Sequence, residues 1–449
     1  MKKTYVFMII FLLIINLSSC NEEIPNNKNN ADVQNEIDEK FYNDKIPPII
    51  TIKKSEQNIY IRQGEEYDLM QGISGLDNLE GDITSNIIVS IGDYDNNTPG
   101  TYTIVYFLKD LSNNNALTIE RTITVLDTKI LTAPPLYNGI IENEAAKPNN
   151  PAYFGGAWYH KVVSSKDYWV GIDATFTLPT VNIDRYNGSY NSSLDVDPFA
   201  QNLDNPSIYM GGNATNESDV GLSFSKGIID ETGALSKGSI VFRPFWRYIT
   251  TTSDPEVTDV GGYNLAAGRN YAVSATGASG NNMIANWHYN FTEYYYLPGD
   301  KLRMLIYSPE PNKLQMQIEV IEVSSNPESV KMRQQYGWKE PQDFKSPIFS
   351  SPGHGTNIKA EYKRVNAIDQ VANEGGFAHS TTTTITNAIW HEVYLYRYIN
   401  GEMYRVPFNQ ERSAYLSARD DKAFTISYDG VDQALGGEIV SIHPGVLDE

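Results

Sequence analysis

The sequence predicts an all-β protein, with a small β-sandwich near the N-terminus followed by a large β-sandwich or jelly-roll region that contains little helix. Three observations support this fold class. Aromatic residues make up 12% of the 449 residues, with 30 tyrosines, while charged residues are only 20%. Apolar and polar residues alternate in many short runs, and turn-forming residues separate these runs. Long amphipathic helical patterns are scarce.

The N-terminus has the pattern of a secretory signal peptide. Two lysines follow Met1, an apolar run occupies residues 5–15, and small residues precede Cys20. This run is too short for a comfortable membrane span, and no later stretch holds eighteen consecutive apolar residues. Cys20 is the only cysteine of the chain, so the fold has to be stabilised by packing without disulfides.

The segment Leu17-Ser18-Ser19-Cys20 resembles the lipobox of bacterial lipoproteins. This resemblance implies a signal peptide over residues 1–19, acylation of Cys20 and a membrane-anchored mature chain. Residues 20–46 then contain the acylated cysteine and a flexible tether rich in Asn, Asp and Glu. The acidic residues after Cys20 are similar to the export signal of many Bacteroidota lipoproteins, which implies exposure on the outer membrane at the cell surface. An unpaired thiol and an ordinary charged linker are the alternatives.

The charge of the chain excludes one class of partner. The formal net charge is −20 at pH 7. Because phosphate backbones would be repelled by this excess of carboxylates, we expect no nucleic-acid partner. An acidic exterior instead suits a protein outside the cytoplasm.

Residues 47–127 show the pattern of a small sandwich. Strand-like runs occupy residues 58–62, 101–108 and 118–125, and turn-forming residues lie between them. About eighty residues with short strands and frequent turns suggest an Ig-like sandwich. Five segments also occur in order: Pro48-Ile49-Ile50-Thr51, Gly64-Glu65-Glu66-Tyr67, Gly81-Asp82-Ile83-Thr84, Pro99-Gly100-Thr101-Tyr102-Thr103 and Arg121-Thr122-Ile123-Thr124-Val125.

Together these segments resemble the bacterial Ig-like domain that also occurs in some pesticidal crystal proteins. The resemblance implies a spacer or adhesion module. The family often has Asp-x-x-Gly-Asn where this chain has residues 110–114, so this turn is expected to differ in shape. Asp77, Glu80 and Asp82 could hold calcium through carboxylate oxygens, but a turn that needs short polar side chains is the favoured explanation.

Residues 128–135 form a linker that ends in Ala133-Pro134-Pro135, and residues 136–449 form the large β-sandwich region. Alternating apolar residues over 302–306 and 314–320 predict a hairpin. Asn326, Pro327 and Gly337 mark the start and the end of one short helix. The layout is similar to the concanavalin A-like architecture, and the tail resembles uncharacterised secreted bacterial proteins. A split of this region into two subdomains near residues 326–338 is the alternative.

Aromatic and arginine residues of the large region are the candidate ligand-binding groups, because flat rings stack on sugar rings and guanidinium groups bind carboxylates. Core packing is the alternative for each of them. The candidates are Trp158, Trp169, Arg243, Trp246, Arg247, Trp287 and Tyr289.

Glu217 and Asp219 lie two residues apart, so that a strand would place both carboxylates on one face. Glycosidases use two opposed carboxyl groups, whereas a polar loop between strands is the alternative for this segment. The six histidines have no metal-ligand spacing, and no nucleophile elbow, phosphate loop or dinucleotide fingerprint occurs. We therefore expect no metal and no cofactor, and assign no catalytic residue.

The prediction is a cell-surface lipoprotein in which an Ig-like spacer presents a β-sandwich for glycan binding or adhesion. The alternatives are a surface glycan-degrading hydrolase or lyase and a structural protein with a protein partner. The sequence leaves open the ligand, catalysis, calcium binding by the Ig-like part, the number of large domains and the oligomeric state.

Overall fold

The computed structural model describes residues 44–149, 155–185, 203–215, 217–229, 235–249, 264–265, 268–276, 282–289, 295–337, 340–346, 348–370 and 376–445. None of the helices in these residues has the length and the apolar character needed to cross a membrane. Cys20, the proposed signal peptide and residues 20–43 of the proposed tether lie outside the described residues.

The predicted all-β fold is confirmed. The described strands form four largely antiparallel sheets, and the backbone groups into two compact units. One unit contains Asp68–Tyr94, Thr103–Thr122 and the described residues up to Gln57. The other contains Asn58–Tyr67, Asp95–Tyr102 and the described residues from Ile123 onwards.

The N-terminal segment contains seven strands in two sheets. The three-stranded sheet has the order β1-β3-β4, and the four-stranded sheet has the order β2-β7-β6-β5. The three strand-like runs of the sequence match β2, β6 and β7 to within one residue. The strands are β1 (Ile49–Ile52), β2 (Asn58–Arg62), β3 (Ile73–Asp77), β4 (Gly81–Asp82), β5 (Ile88–Ser90), β6 (Gly100–Phe107) and β7 (Ile119–Leu126).

A buried arginine organises the loops of the first unit. The Arg121 side chain is fully buried. It donates to the backbone oxygens of Glu56 and Leu69, each at 2.6 Å, and to the Tyr106 hydroxyl at 2.9 Å. Because a buried cation is tolerated only when its donors are used, this network fixes the loop conformations around Arg121.

The turn at residues 110–114 contains one residue in the left-handed conformation. Asp110 accepts a hydrogen bond from the Asn114 backbone nitrogen at 2.7 Å. Asn113, which stands where the family has glycine, adopts a φ of 68°. Asparagine tolerates this left-handed conformation better than most residues. The expected difference in shape from the family turn stays a prediction.

The large region contains nineteen described strands and helix α1 (Pro327–Tyr336). The strands are β8 (Ala157–Ser164), β9 (Trp169–Thr177), β10 (Thr180–Asn182), β11 (Asn205–Asn213), β12 (Glu217–Ile229), β13 (Leu235–Ile249), β14 (Asn264–Leu265), β15 (Gly268–Thr276), β16 (Asn282–Tyr289), β17 (Lys301–Tyr307), β18 (Lys313–Glu322), β19 (Phe344–Lys345), β20 (Phe349–Ser350), β21 (Glu361–Asp369), β22 (Thr384–Ile399), β23 (Glu402–Pro407), β24 (Ser413–Ala418), β25 (Phe424–Ser427) and β26 (Glu438–Ile442).

These strands form a ten-stranded and a nine-stranded sheet. The ten-stranded sheet has the order β19-β18-β17-β9-β22-β26-β25, with β10 and β23 on β22 and β20 on β18. The nine-stranded sheet has the order β14-β15-β16-β13-β12-β11-β21-β8-β24. Both sheets contain strands from before and after α1 in the sequence. For example, β9 and β17 precede α1 and β22 follows it, and β9 lies between β17 and β22.

Two local predictions for this region are confirmed. Strands β17 and β18 pair as an antiparallel hairpin, with Met304 opposite Ile318. Helix α1 begins after Asn326, whose side chain accepts from the Glu328 backbone nitrogen at 3.0 Å. It ends at Gly337, which has a φ of 63°.

The apolar core is one continuous cluster of buried side chains from both sheets. It includes Trp158 and Ile368 of the nine-stranded sheet and Phe176 and Trp390 of the ten-stranded sheet. Every second residue of a strand contributes to such a core, because successive side chains point to opposite faces. We call the face of each sheet that points away from this core its outer face.

A buried ion pair links the two sheets inside the core. Arg364 of β21 donates through Nη1 to Glu438 of β26, and His160 Nε2 lies 3.0 Å from the same carboxylate. Burial alone would raise the pKa of Glu438, but Arg364 and His160 hold the pKa well below its ordinary value of 4.5. The carboxylate is therefore ionised and satisfied inside the sandwich.

Glu438→Gln should destabilise the protein by about 3 kcal/mol, because it leaves the buried Arg364 guanidinium without its anionic partner. Chemical denaturation of the full chain at pH 7 measures this loss. Because the folded-state pKa of Glu438 is lowered, the contribution is present above pH 4.5 and is lost as the pH falls below that value. Glu402→Gln, at an exposed position of β23, is the control. Equal stability of the two variants would contradict the role of Glu438.

Candidate functional site

Three of the predicted ligand-binding tryptophans are core residues. Trp158 is fully buried, and Trp169 and Trp246 are each 2% exposed. Trp158 and Trp169 also donate their indole N–H groups to backbone oxygens inside the protein. None of these three rings can stack on a sugar from solvent, so the prediction is corrected in favour of core packing.

The remaining predicted residues divide into two groups. Arg243 of β13 is 4% exposed, and in the strand register it lies opposite Ser223 of β12. Arg247, Trp287 and Tyr289 lie in β13 and β16, but their side chains fall outside the described part of the structure, so that their role in binding stays a prediction.

Tyr168, the residue before Trp169, lies near the solvent. Tyr168 is 47% exposed, whereas Trp169 is buried. The Lys359 ammonium lies 5.2 Å from the centre of the Tyr168 ring.

Glu217 and Asp219 lie in strand β12 and not in a loop, and they share one face of that strand as predicted. Their register partners on β11 are Asn213 and Gly211. Gly211 also pairs with Lys363 of β21. The three adjacent strands therefore place Asp219, Gly211 and Lys363 in one row across the outer face of the nine-stranded sheet.

Glycine at position 211 makes room for a charged contact across this row. A Cβ there would collide with Asp219 Oδ1 and would lie 2.8 Å from the Lys363 side chain. The Lys363 ammonium lies 2.9 Å from Asp219 Oδ1 and also donates to Glu217. One buried ammonium therefore bridges two carboxylates of the same strand.

The pKa values of Glu217 and Asp219 are shifted in opposite directions. The Lys363 ammonium lowers the pKa of Glu217, whereas burial raises the pKa of Asp219 to about 7. Burial would lower the pKa of Lys363, but the two carboxylates raise it above its ordinary value. Glu217 is thus a stable anion and Asp219 a group that exchanges its proton near neutral pH.

Three half-buried side chains surround this pair. Tyr209 of β11, Lys161 of β8 and Glu361 of β21 lie on the same outer face and are partly accessible to solvent. The Lys363 ammonium is 5.6 Å from the centre of the Tyr209 ring. Burial raises the pKa of Glu361, and burial together with Lys363 lowers the pKa of Lys161. We call Glu217, Asp219, Lys363, Lys161, Glu361 and Tyr209 the outer-face cluster.

Sequence reasoning found Glu217 and Asp219 but missed their cationic partners. The available signal was the run from Glu361 to Arg364, in which three charged residues occur inside an otherwise apolar strand. Charged residues are rarely buried unless they are paired, so this run indicated a polar network. The local pattern could not show that β21, which contains Lys363, would lie beside β11 and so reach the carboxylates of β12.

The carboxylates that were predicted as possible calcium ligands do not lie together as a set. Asp82 accepts from the Thr84 backbone nitrogen and Glu80 from that of Leu111, so both are engaged in turns. Asp77 instead has ligand oxygens within 4.8 Å of those of Asp44 and Asp110. Its Oδ1 also accepts from two backbone nitrogens of its own turn, as the turn interpretation requires.

Comparison with known proteins identifies the N-terminal part. Residues 50–125 match the family model of the bacterial surface protein Ig-like domain. This match confirms the resemblance that the ordered motifs indicated. No curated protein has a sequence that matches this chain.

The similarity to solved structures is weaker. Scytalido-glutamic peptidase with a transition state analog inhibitor is 8% identical, covering 65% of this chain and 100% of that chain, with a TM-score of 0.34. The CBM51-2 domain in complex with GlcNAc, with the INT domains, from Clostridium perfringens ZmpB is 20% identical, covering 37% and 36%, with a TM-score of 0.17. These values establish no family for the large region.

Asp219→Asn should change the pH dependence of stability. Because burial raises the folded-state pKa of Asp219 from 3.8 to about 7, the native protein holds the proton more strongly than the unfolded chain. Its contribution is present below pH 4 and is lost as the pH rises towards 7. The asparagine variant lacks this loss, so its stability relative to the wild type should increase from pH 4 to pH 7.

Denaturant midpoints at several pH values measure this difference. Asp429→Asn, at an exposed position of the loop after β25, is the control for the removal of one carboxylate. A pH-independent difference between Asp219→Asn and the wild type would show that Asp219 does not titrate in this range.

Proposed function

We propose that this chain is a bacterial cell-surface lipoprotein whose large β-sandwich binds glycans through the outer-face cluster. The observation that carries the proposal is the set of half-buried polar groups around Tyr209, fixed by a buried ammonium that bridges Glu217 and Asp219. The match of residues 50–125 to a bacterial surface domain supports the location. The Ig-like part would then serve as a spacer.

The chemistry of the outer-face cluster suits a neutral, hydroxyl-rich ligand. Two ammonium groups and three carboxyl groups alternate there, with Asp219 partly protonated near pH 7. Sugar hydroxyls donate to carboxylates and accept from ammonium groups. The partly exposed Tyr209 ring offers an apolar surface beside them. A strongly anionic ligand would gain little, because the carboxyl groups offset the two cations.

Glu217 is the best position for testing this proposal, because its side chain is 37% exposed and its replacement leaves the buried Asp219–Lys363 pair intact. The full chain should bind one or more members of a glycan array. Glu217→Gln should weaken binding to those members about tenfold, which corresponds to the loss of one charge-assisted hydrogen bond.

Glu310→Gln, at an exposed position outside the cluster, is the matched control and should bind as the wild type does. Unchanged binding by Glu217→Gln would place the glycan elsewhere on the protein. If the full chain binds no glycan, the proposal fails and adhesion to a protein partner becomes the favoured function.

Glycan hydrolysis is the second candidate, and the opposite pKa shifts of Glu217 and Asp219 favour it. Two carboxyl groups with separated pKa values can act as base and acid, and both contact the same ammonium and so lie close together. Binding ranks first because Asp219 is only 10% exposed at its side chain, whereas an acid catalyst has to reach the leaving group.

Product analysis on any glycan that binds distinguishes the two candidates. Hydrolysis predicts new reducing ends that disappear in Asp219→Asn and in Glu217→Gln. Binding alone predicts that the glycan is recovered unchanged after long incubation with the wild type.

The lipid anchor has its own test. Cys20→Ser should move the protein from the membrane fraction to the soluble fraction and should remove metabolic labelling by palmitate, because the thiol is the acylation site of the proposed lipobox. Protease shaving of whole cells then reports surface exposure. Labelling that persists in the serine variant would exclude Cys20 as the attachment site.

A further inference from the structure

The outer face of the ten-stranded sheet contains a cavity that is separate from the outer-face cluster. Its volume is about 310 Å³. Strands β9, β17, β18, β22 and β23 form its floor and the segment 130–133 forms one wall. The lining residues are Ile130, Leu131, Thr132, Ala133, Asp173, Thr175, Arg303, Glu319, Glu392, Tyr394 and Arg405.

Hydrogen bonds hold the wall of this cavity in place. The Leu131 backbone nitrogen donates to Gln317 Oε1 at 2.7 Å. Arg303 Nη1 donates to the Leu131 backbone oxygen at 2.9 Å. Further along the linker, the Arg405 backbone nitrogen donates to Pro135 O at 3.0 Å. The linker therefore lies along the sheet, and the cavity is a preformed feature of the fold.

One group of charges in the cavity is internally satisfied. Arg303 contacts Asp173 at 3.0 Å and Glu319 at 3.1 Å. The Tyr396 hydroxyl donates to Asp173 Oδ2 at 2.6 Å. The charges of Asp173, Arg303 and Glu319 thus pair with one another, so these side chains offer few free hydrogen-bonding positions to a ligand.

Arg405 differs from these residues. Its guanidinium lies 4.3 Å from the centre of the Tyr394 ring, a position typical of a cation–π contact. Its Nε is buried and has no hydrogen-bond partner among the described residues. Buried donors are normally paired, so an arginine held by stacking with an unused donor in a cavity indicates a bound group that would accept from it.

Glu392 provides the complementary charge in the same cavity. Its Oε2 accepts from the Tyr394 hydroxyl at 2.8 Å, and its Oε1 is 3.4 Å from the Thr175 hydroxyl. A carboxylate accepts more hydrogen bonds than these two. The Tyr394 side chain thus connects Arg405, on its ring, with Glu392, on its hydroxyl.

We propose that this cavity binds a small molecule that carries a carboxylate and, a few ångströms away, hydrogen-bond donors. Arg405 would take the carboxylate through its planar fork, and Glu392 would accept from the donors. A sugar acid and an amino acid both have this chemistry. A phosphate is disfavoured by the three carboxylates of the lining, and a purely apolar ligand by the polar floor.

Calorimetric titration of the full chain tests this proposal with three probes: D-glucuronate, L-alanine and D-glucose. We expect glucuronate or alanine to bind and glucose, which lacks the carboxylate, to bind at least about tenfold more weakly. Binding of glucuronate alone identifies a sugar-acid site, and binding of alanine alone identifies an amino-acid site. Absence of binding by both acids, or equal binding of glucose, overturns the proposal.

Variants locate the binding. Arg405→Gln should abolish it, and Arg405→Lys should weaken it about tenfold, because lysine keeps the charge but loses the fork. Glu392→Gln should weaken it without affecting the carboxylate contact. Lys422→Gln, which removes one positive charge at an exposed position, should bind as the wild type does. Thermal melting of each variant verifies its fold, and binding that survives in a folded Arg405→Gln variant overturns the assignment.

This proposal is independent of the glycan proposal for the outer-face cluster. Glu217→Gln leaves the cavity unchanged, so it should not alter the binding of either acid. Arg405→Gln likewise should not alter glycan-array binding. The two sites can therefore fail separately.

Discussion

The ion pair between Arg364 and Glu438 sets the geometry on which the rest of the large region depends. It joins β21 of the nine-stranded sheet to β26 of the ten-stranded sheet inside the core. Because a strand that slips by one residue turns every side chain to the other face, the pair fixes the register of β21. The neighbouring residue Lys363 must then point to the outer face, where it contacts Glu217 and Asp219.

The same register requires small residues beside the charged ones. Gly211 allows Asp219 and Lys363 to meet across β11, and Gly221 leaves space for Tyr209, whose Cβ would collide with a side chain there. A larger residue at either position would force strands or side chains apart. The charged cluster and the glycines are thus two parts of one arrangement. In a chain with a single cysteine, such polar networks and the apolar core have to specify the fold without disulfides.

Local patterns predicted the elements of the fold but not their partners. The hairpin of β17 and β18 and the helix after Asn326 follow from alternation and capping, which depend on neighbours in the sequence. Strands β11 and β12 follow each other along the chain, but the pairing of β11 with β21 joins segments more than a hundred residues apart, so local periodicity does not indicate it. The pair of Glu217 and Asp219 was therefore visible in the sequence, whereas Lys363 was not.

Aromatic residues misled the sequence prediction for a physical reason. Sugar-binding platforms are built from aromatic rings such as those of Trp158, Trp169 and Trp246. Large rings, however, contribute most to stability when they are buried between two sheets. The proposed binding groups, such as Glu217 and Lys161, instead combine charge with partial exposure. This criterion also separates Arg405, which has an unused donor, from Arg303, which is fully paired.

Hydrogen–deuterium exchange with and without a glycan that the array identifies tests the central claim most directly. If the outer-face cluster is the binding site, the glycan should slow exchange in β11, β12 and β21, with little change in β17, β22 and β23. Slower exchange confined to other strands, or no change at saturating glycan, would contradict the assignment of this face as the ligand site.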